Sequence, residues 1–494
     1  MKQYKFLFPV LLLTALTGCK KLTDFQSNPN NPTEADPALG LTAIELNAFS
    51  NISANAALAS RYLVYTQGAS NAQYYGWQRE SSMGYANITQ VVKMEQEAAK
   101  VSKKNYRYLG KFFRAYYVVS MTQRFGDIPY SSMMKAISEN DVTSAEAIRP
   151  SYDSQKDIYA GVLNDLKIAS DSLSNQEAAL NGDIIYNGNV EQWKRLINSF
   201  TLRILMSLSK KEADATLNIR QRFAEIVSNP ARYPLLQSNA DNGKLTYYDI
   251  TGNQYPFFNN NSMKTDYYLD STFVDILRTH NDPRLLVFGK PKPSSTLPPT
   301  DFDAYDGLRG SATLAYNTGK RGAGNASQIH DRYAYHATNE PSLLMSYAEL
   351  QFILAEAVVR GWIAGNAETF YKEGIKASMI FSNFNNTYTT ADIDKFIDQP
   401  SIALQTGAEI EQIITQKYVS MFMNTDWLPF FEQRRTGFPA FETNGGGILN
   451  NGRIPKRWMY PNSEYENNGT NVENAVRAQF SEGDNVNGAM WILQ

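Results

Sequence analysis

Apolar residues recur at helical spacing through two long tracts of the chain, and the period fades between and after them. Leu41, Ile44, Ala48 and Phe49 fall on one face of a helix beginning near Pro37, and residues around Ala54 to Tyr65 extend it or form its partner. A loop carrying Gln73 to Arg79 comes next. A long amphipathic stretch then runs to Phe125 through Tyr106, Leu109, Phe113, Tyr117 and Met121. Phe125-Gly126-Asp127-Ile128-Pro129-Tyr130 ends it, because glycine suits a left-handed cap and proline cannot continue a helix. Tyr152 to Leu173 repeats the scheme with a stripe of Ile158, Val162, Leu163 and Leu166. Asn189 to Lys210 is apolar over much of its circumference, so it should lie between other helices.

The character changes from Pro230 to Glu340, where Pro, Gly, Asn, Tyr and Asp dominate and only a short helix near Asp270 to Arg278 is expected. So long a stretch with little period is usually functional in a compact protein. Helices return at Ser342, with an almost all-round apolar one ending at Gly361 and a partner from Ala367 to about Ile380. A further pair covers Ile410 to Met423 and Trp427 to Arg435, with Pro429 tolerated in a first turn. The tail, with Gly445-Gly446-Gly447, Pro455 and Pro461, reads as loop-rich. Helix pairs joined by short turns predict a stacked, mainly α architecture, although no strict repeat of about 34 residues is visible.

Charge narrows the options. There are 47 basic against 49 acidic residues, a balance unlike a nucleic-acid binder, and 43% of residues are hydrophobic, enough for a large core. Lys2 and Lys5 precede an uncharged run from Phe6 to Leu16, about half the length of a membrane span, and the run ends in Leu16-Thr17-Gly18-Cys19. That ending looks like a bacterial lipobox. Residues 1–18 are then a cleaved lipoprotein signal, and Cys19, the only cysteine, is the acylated first residue. The alternative is an ordinary cleaved signal. Asn28-Pro29-Asn30-Asn31-Pro32 favours extended and turn conformations, so residues 19–37 read as anchor and tether.

The sequence carries no catalytic constellation. His330 and His336 are six apart, not at the i, i+4 spacing of a zinc pair, and a structural or surface role is expected for them and for His280. Glu349 and Glu356 share a helix face about 10 Å apart along the axis, and pairing between helices explains them better than glycosidase chemistry. Asp301, Asp303 and Asp306 lack a full calcium-loop pattern.

Taken together, the lipobox, the Asn28–Pro32 stretch, Phe113-Arg114-Ala115-Tyr116 leading to Phe125–Tyr130, Tyr347-Ala348-Glu349-Leu350 through Gly361-Trp362, and Glu432-Gln433-Arg434-Arg435-Thr436-Gly437-Phe438-Pro439 resemble the SusD/RagB family of surface nutrient-binding lipoproteins. Ile454-Pro455 to Arg457 and Tyr460-Pro461 extend the likeness across nearly the whole chain. The resemblance implies about four tetratricopeptide-like helix pairs forming a right-handed scaffold with a large irregular insertion. It gives one domain over 38–494, with helix-pair regions at 38–229 and 341–437 and loop-rich regions at 230–340 and 438–494. It also implies a non-enzymatic protein without cofactor or metal. Such a protein captures oligosaccharides, or in some members peptides, for a SusC-like TonB-dependent outer-membrane barrel. A lipid-anchored protein-interaction scaffold is a further alternative. Two lysines after Cys19 differ from the acidic residues usual at surface-export signals in the family.

Sugar rings stack on aromatic planes while their hydroxyls need amide, carboxylate or guanidinium partners. Tyr74, Tyr75 and Trp77 beside Asn71, Gln73, Gln78 and Arg79 satisfy that description in a loop, and Tyr247, Tyr248, Tyr255 and Tyr268 form a second group. The packing alternative, that these rings hold the loop and the insertion in place, stands beside both. On the ligand reading, Trp77→Ala weakens binding with the melting temperature nearly unchanged.

Overall fold

The computed structural model describes residues 35–50 and 52–494. The signal expected at 1–18, the acyl acceptor Cys19 and the Asn28–Pro32 stretch lie outside the described residues.

Helix α1 (Pro37–Phe49) starts where Asp36 accepts a hydrogen bond from the Ala38 N–H and Pro37 takes the first turn. A short α2 (Ala54–Ala59) leads to β1 (Leu63–Tyr65) rather than extending to Tyr65 as a helix. The long stretch expected to end at Phe125 is two antiparallel helices, α3 (Tyr85–Lys100) and α4 (Lys104–Phe125). Its apolar period continues across a three-residue turn that holds Ser102 at a φ of 56°. Gly126 ends α4 at a φ of 92°, where a Cβ would also strike the Gln479 side chain.

Next come α5 (Gln155–Ser172), capped by Ser154, α6 (Val190–Ser207), capped by Asn189, and α7 (Ile219–Ser228). Helix α4 packs between α3 and α5, α6 packs on α5, and α1 lies across α3. Trp193 of α6 is the hub of this half, meeting Phe49, Phe112, Phe113 and Tyr186 edge-on at ring distances of 5.2–6.2 Å.

The irregular region contains β2 (Gly243–Leu245), β3 (Tyr267–Leu269), α8 (Ser271–Thr279) and α9 (Leu314–Gly322), with one-turn helices between. Asp270 caps α8, the helix read near that position. Two small antiparallel ladders staple the region to the helical body. One pairs Leu63 with Leu269, and the other pairs β2 with β4 (Ser342–Met345).

Beyond β4, α10 (Tyr347–Val359) and α11 (Ala367–Ser382) form a closely packed pair, and α12 (Glu409–Ser420) and α13 (Leu428–Thr436) form the next. The carboxylates of α10 cross-link these layers. Arg203 of α6 donates two hydrogen bonds to Glu349, and Arg435 of α13 clamps Glu356 at 2.6 and 2.8 Å. All four side chains are buried, so each charge is answered locally, which is the condition for keeping ions in a core. The tail departs from expectation. Residues 438–460 are irregular, but α14 (Asn462–Gln479) follows, its polar, asparagine-rich sequence hiding a narrow buried face of Val472, Ala475 and Val476.

Candidate functional site

The loop from Asn71 to Arg79 is held from beneath by Arg61, a fully buried residue at a φ of 57°. Its guanidinium lies 4.4 Å over the Tyr75 ring and donates to the Gln73 carbonyl at 2.8 Å. Buried Asp270 is the neighbouring charge. One of its oxygens accepts from the Thr272 N–H at 2.8 Å and the other from the Gly310 N–H at 2.9 Å. Burial raises the Asp270 carboxyl to about 6, while Arg61 works to lower it. A Cβ on Gly310 would come within 2.4 Å of this carboxylate, so only glycine lets the 309–312 segment pass here.

Tyr74, Tyr75 and Trp77 are only 3, 0 and 8% exposed. The Tyr75 hydroxyl donates to the Ala59 carbonyl, and Trp77 packs at 4.3 Å from Trp458 and 5.5 Å from Trp427. Their ring faces are covered by protein, which is the packing alternative, because four aromatic side chains close over one another there. Gln73 is also internal, its side-chain oxygen accepting from the Tyr65 N–H at 2.8 Å. Arg79 pairs with Asp484 and donates to the Tyr460 carbonyl, tying the loop to the chain end. Asn71 and Gln78 remain exposed.

In the second group, Tyr247 is buried and donates to Ser342 Oγ at 2.8 Å, and Tyr255 is buried between Tyr247, Phe257 and Tyr333. Tyr268 is buried on β3 and accepts from Gln328 at 3.4 Å. Only Tyr248 presents its ring to solvent.

Side chains that reading the sequence did not single out converge on the solvent side of the loop. Residues 445–449 run across Tyr74: the Leu449 N–H donates to the Tyr74 carbonyl, and the Gly447 N–H donates to the Ser311 carbonyl, both at 2.8 Å. A Cβ on Gly445 or Gly447 would fall 2.5 Å from atoms of Ser311 or Ala312, which explains the glycine run. This contact brings Glu442 beside Arg309. Arg309 grips Glu442 with two nitrogens, and the Ser311 hydroxyl donates to the same carboxylate at 3.0 Å. The Arg309 hydrogen bond comes first among the influences holding the Glu442 carboxyl below its ordinary range. Thr313 caps α9, and Tyr316 in its first turn stands beside Arg309 with 48% of its surface exposed. Asn317 exchanges hydrogen bonds with the Arg309 backbone at 2.9 and 3.2 Å.

The patch therefore offers an open aromatic face, a partly exposed guanidinium–carboxylate pair and the exposed amide of Asn71. Glu442, kept ionised, is an acceptor rather than a proton donor. Among the described residues no group of three His, Cys, Asp or Glu side chains is arranged to hold a metal ion. The one sequence signal available for this patch is the Gly445–Gly447 run, read above only as part of a loop-rich tail, since such a run also marks close backbone approach.

A helical-pair scaffold presenting a polar–aromatic surface patch is the class of protein that this geometry defines. The family described as "Starch-binding associating with outer membrane", SusD-like, matches residues 29–461, and the chain belongs to that family. A SusD homologue from Bacteroides fragilis NCTC 9343 is 40% identical, with a TM-score of 0.84 over 93% of this chain and 100% of that one. An outer-membrane protein of Bacteroides vulgatus ATCC 8482, whose description links it to nutrient binding, is 37% identical with a TM-score of 0.85 over the same shares. A chitin-binding protein is similar at 26% identity, with a TM-score of 0.77 over 93% and 100%. No curated protein matches the chain.

Proposed function

We propose that the protein is a non-enzymatic, lipid-anchored binding protein of the outer membrane that faces the cell exterior. It captures neutral oligosaccharides and passes them to a SusC-like TonB-dependent barrel. The observation that carries the ligand reading is the patch of Tyr316, Arg309, Glu442 and Asn71. A stacking face beside paired donors and acceptors is what a hydroxyl-rich ring requires. Family membership supports the outer-membrane placement, the barrel partner and the binding role, and the chitin-binding relative supports a glycan as ligand. The ionised state of Glu442 argues against a general acid in the patch.

Incubation of the purified protein with a panel of neutral oligosaccharides tests this reading. Binding of at least one glycan with no cleavage product is expected. Cleavage, or silence across the panel, contradicts it. Isolation from detergent-solubilised outer membranes should bring a large β-barrel with the protein, and its recovery alone contradicts the transport partnership.

A further inference from the structure

Helix α1 lacks the charged outer face that a surface helix normally carries. Its only charged side chain is Glu45, which is buried. Leu41, Ile44, Ala48 and Phe49 face the core, while the exposed residues of the helix are Leu39, Ala43, Leu46 and Asn47. Leu39, with 73% of its surface exposed, Ala43 and Leu46 are spaced four and three residues apart, so they form one apolar stripe pointing outward.

The stripe begins beside the turn between α3 and α4. The Ala35 N–H donates to Glu97 at 3.1 Å and Lys103 pairs with Asp36 at 3.1 Å, which sets the end of α3 against the start of α1. The turn reads Lys100-Val101-Ser102-Lys103-Lys104, and Val101 is 42% exposed among the three lysines. These pair with Glu97, Asp36 and Glu177 at 2.6–3.1 Å, and surface pairs of this kind hold weakly. Glu97 and Asp36 also accept from the backbone N–H groups of Ala35 and Ala38, whereas each ammonium has three protons to give. Exposed Arg107, in the first turn of α4, adds a further cation.

The chain enters the body at the same place. Cys19 lies 16 residues before Ala35, a reach of at most about 55 Å. On the lipid-anchored reading, the start of α1 and the turn beside it are the parts of the body closest to the membrane along the chain. Exposed aliphatic side chains set among lysines suit an anionic lipid surface, where the aliphatics enter the interface and the ammonium groups meet phosphates.

We propose that the 100–104 turn and the 39–46 stripe form a membrane-contact surface that rests on phosphate-bearing lipid headgroups. The inference builds on the lipid anchor of the proposed function and does not involve the glycan patch. The contact orients the body and is too weak to replace the anchor.

Acylation consumes the chain's only cysteine, so Val101→Cys carries a single free thiol for an environment-sensitive fluorophore. The acylated protein is reconstituted in phosphatidylcholine vesicles with about 30 mol% phosphatidylglycerol and a headgroup-nitroxide lipid. Quenching at position 101 should exceed, by at least about twofold, that of the same label at Ile380→Cys, exposed on α11. At least half of this difference should vanish with vesicles of phosphatidylcholine alone, at high salt, or when Lys100→Glu, Lys103→Glu and Lys104→Glu are combined. Leu39→Asp should reduce it as well.

Failure of the acylated protein to sediment with the vesicles contradicts the anchor and not the contact. The contact is then read on the unacylated Cys19→Ala, Val101→Cys protein titrated with the same vesicles at millimolar lipid, where saturable quenching is expected. Equal quenching at 101 and 380, or a difference untouched by both lysine reversal and Leu39→Asp, overturns the proposal. Shielding of position 101 in native outer membranes but not in lipid vesicles assigns the surface to a protein partner and overturns it too.

Discussion

Glu45 shows how one residue ties the fold to pH. It is fully buried on α1, with one oxygen accepting from the Ile184 N–H at 2.8 Å and the other without a partner. Burial, and then the neighbouring Asp183 charge, push its carboxyl from 4.5 to about 10. The folded protein therefore keeps a proton that the unfolded chain releases, and stability contributed by this group falls as pH rises from about 4.5 towards 10. Glu45→Gln keeps the shape and a donor without the charge. It should resemble the parent at pH 5 and melt at a higher temperature at pH 8–9, and a parallel decline of both proteins over that interval would refute the assignment. Residue roles of this kind were poorly legible beforehand. Tyr74, Tyr75 and Trp77 have the composition of a ligand loop, but composition does not reveal that Trp427, Phe430 and Trp458, more than 300 residues away, close over Trp77. Arg309 and Glu442 were likewise hidden, because their pairing depends on two irregular segments meeting.

Among the elements, those with a strong 3.6-residue period were readable, and those set by long-range contact were not. Helices α4, α5, α6 and α10 each carry an apolar stripe or girdle dense enough to announce itself. The strands are three or four residues long and exist only through partners distant in sequence, as with Leu63 and Leu269. Helix α14 is too polar to display a period, whereas α8 lies where a short helix was expected from Asp270 to Arg278, with Asp270 as its cap. The 71–79 loop behaves as part of the core, so Trp77→Ala should cost about 3–5 kcal/mol, as large aromatic truncations in cores do. Chemical denaturation measures this directly. A loss under about 1 kcal/mol would mean that the aromatic cluster does not hold the loop.

At the scale of the whole molecule, stacked helix pairs form a rigid body onto which the irregular region is stapled by two ladders and by the Arg61–Asp270 junction. The patch sits where the 71–79, 309–317 and 442–449 segments meet, so its geometry is fixed by the body rather than by a free loop. The lipid expected on Cys19 would hold such a body near a membrane while leaving it soluble. Cys19→Ala should give folded protein recovered in the soluble fraction. Continued sedimentation with membranes after a high-salt wash would show that another anchor dominates. The central claim, that the patch captures a neutral oligosaccharide, is tested most directly by calorimetry with the tightest glycan from the panel. Tyr316→Ala and Arg309→Ala should each weaken binding at least tenfold, about 1.4 kcal/mol, with unchanged melting temperatures. Unaltered affinity in both folded variants would contradict it.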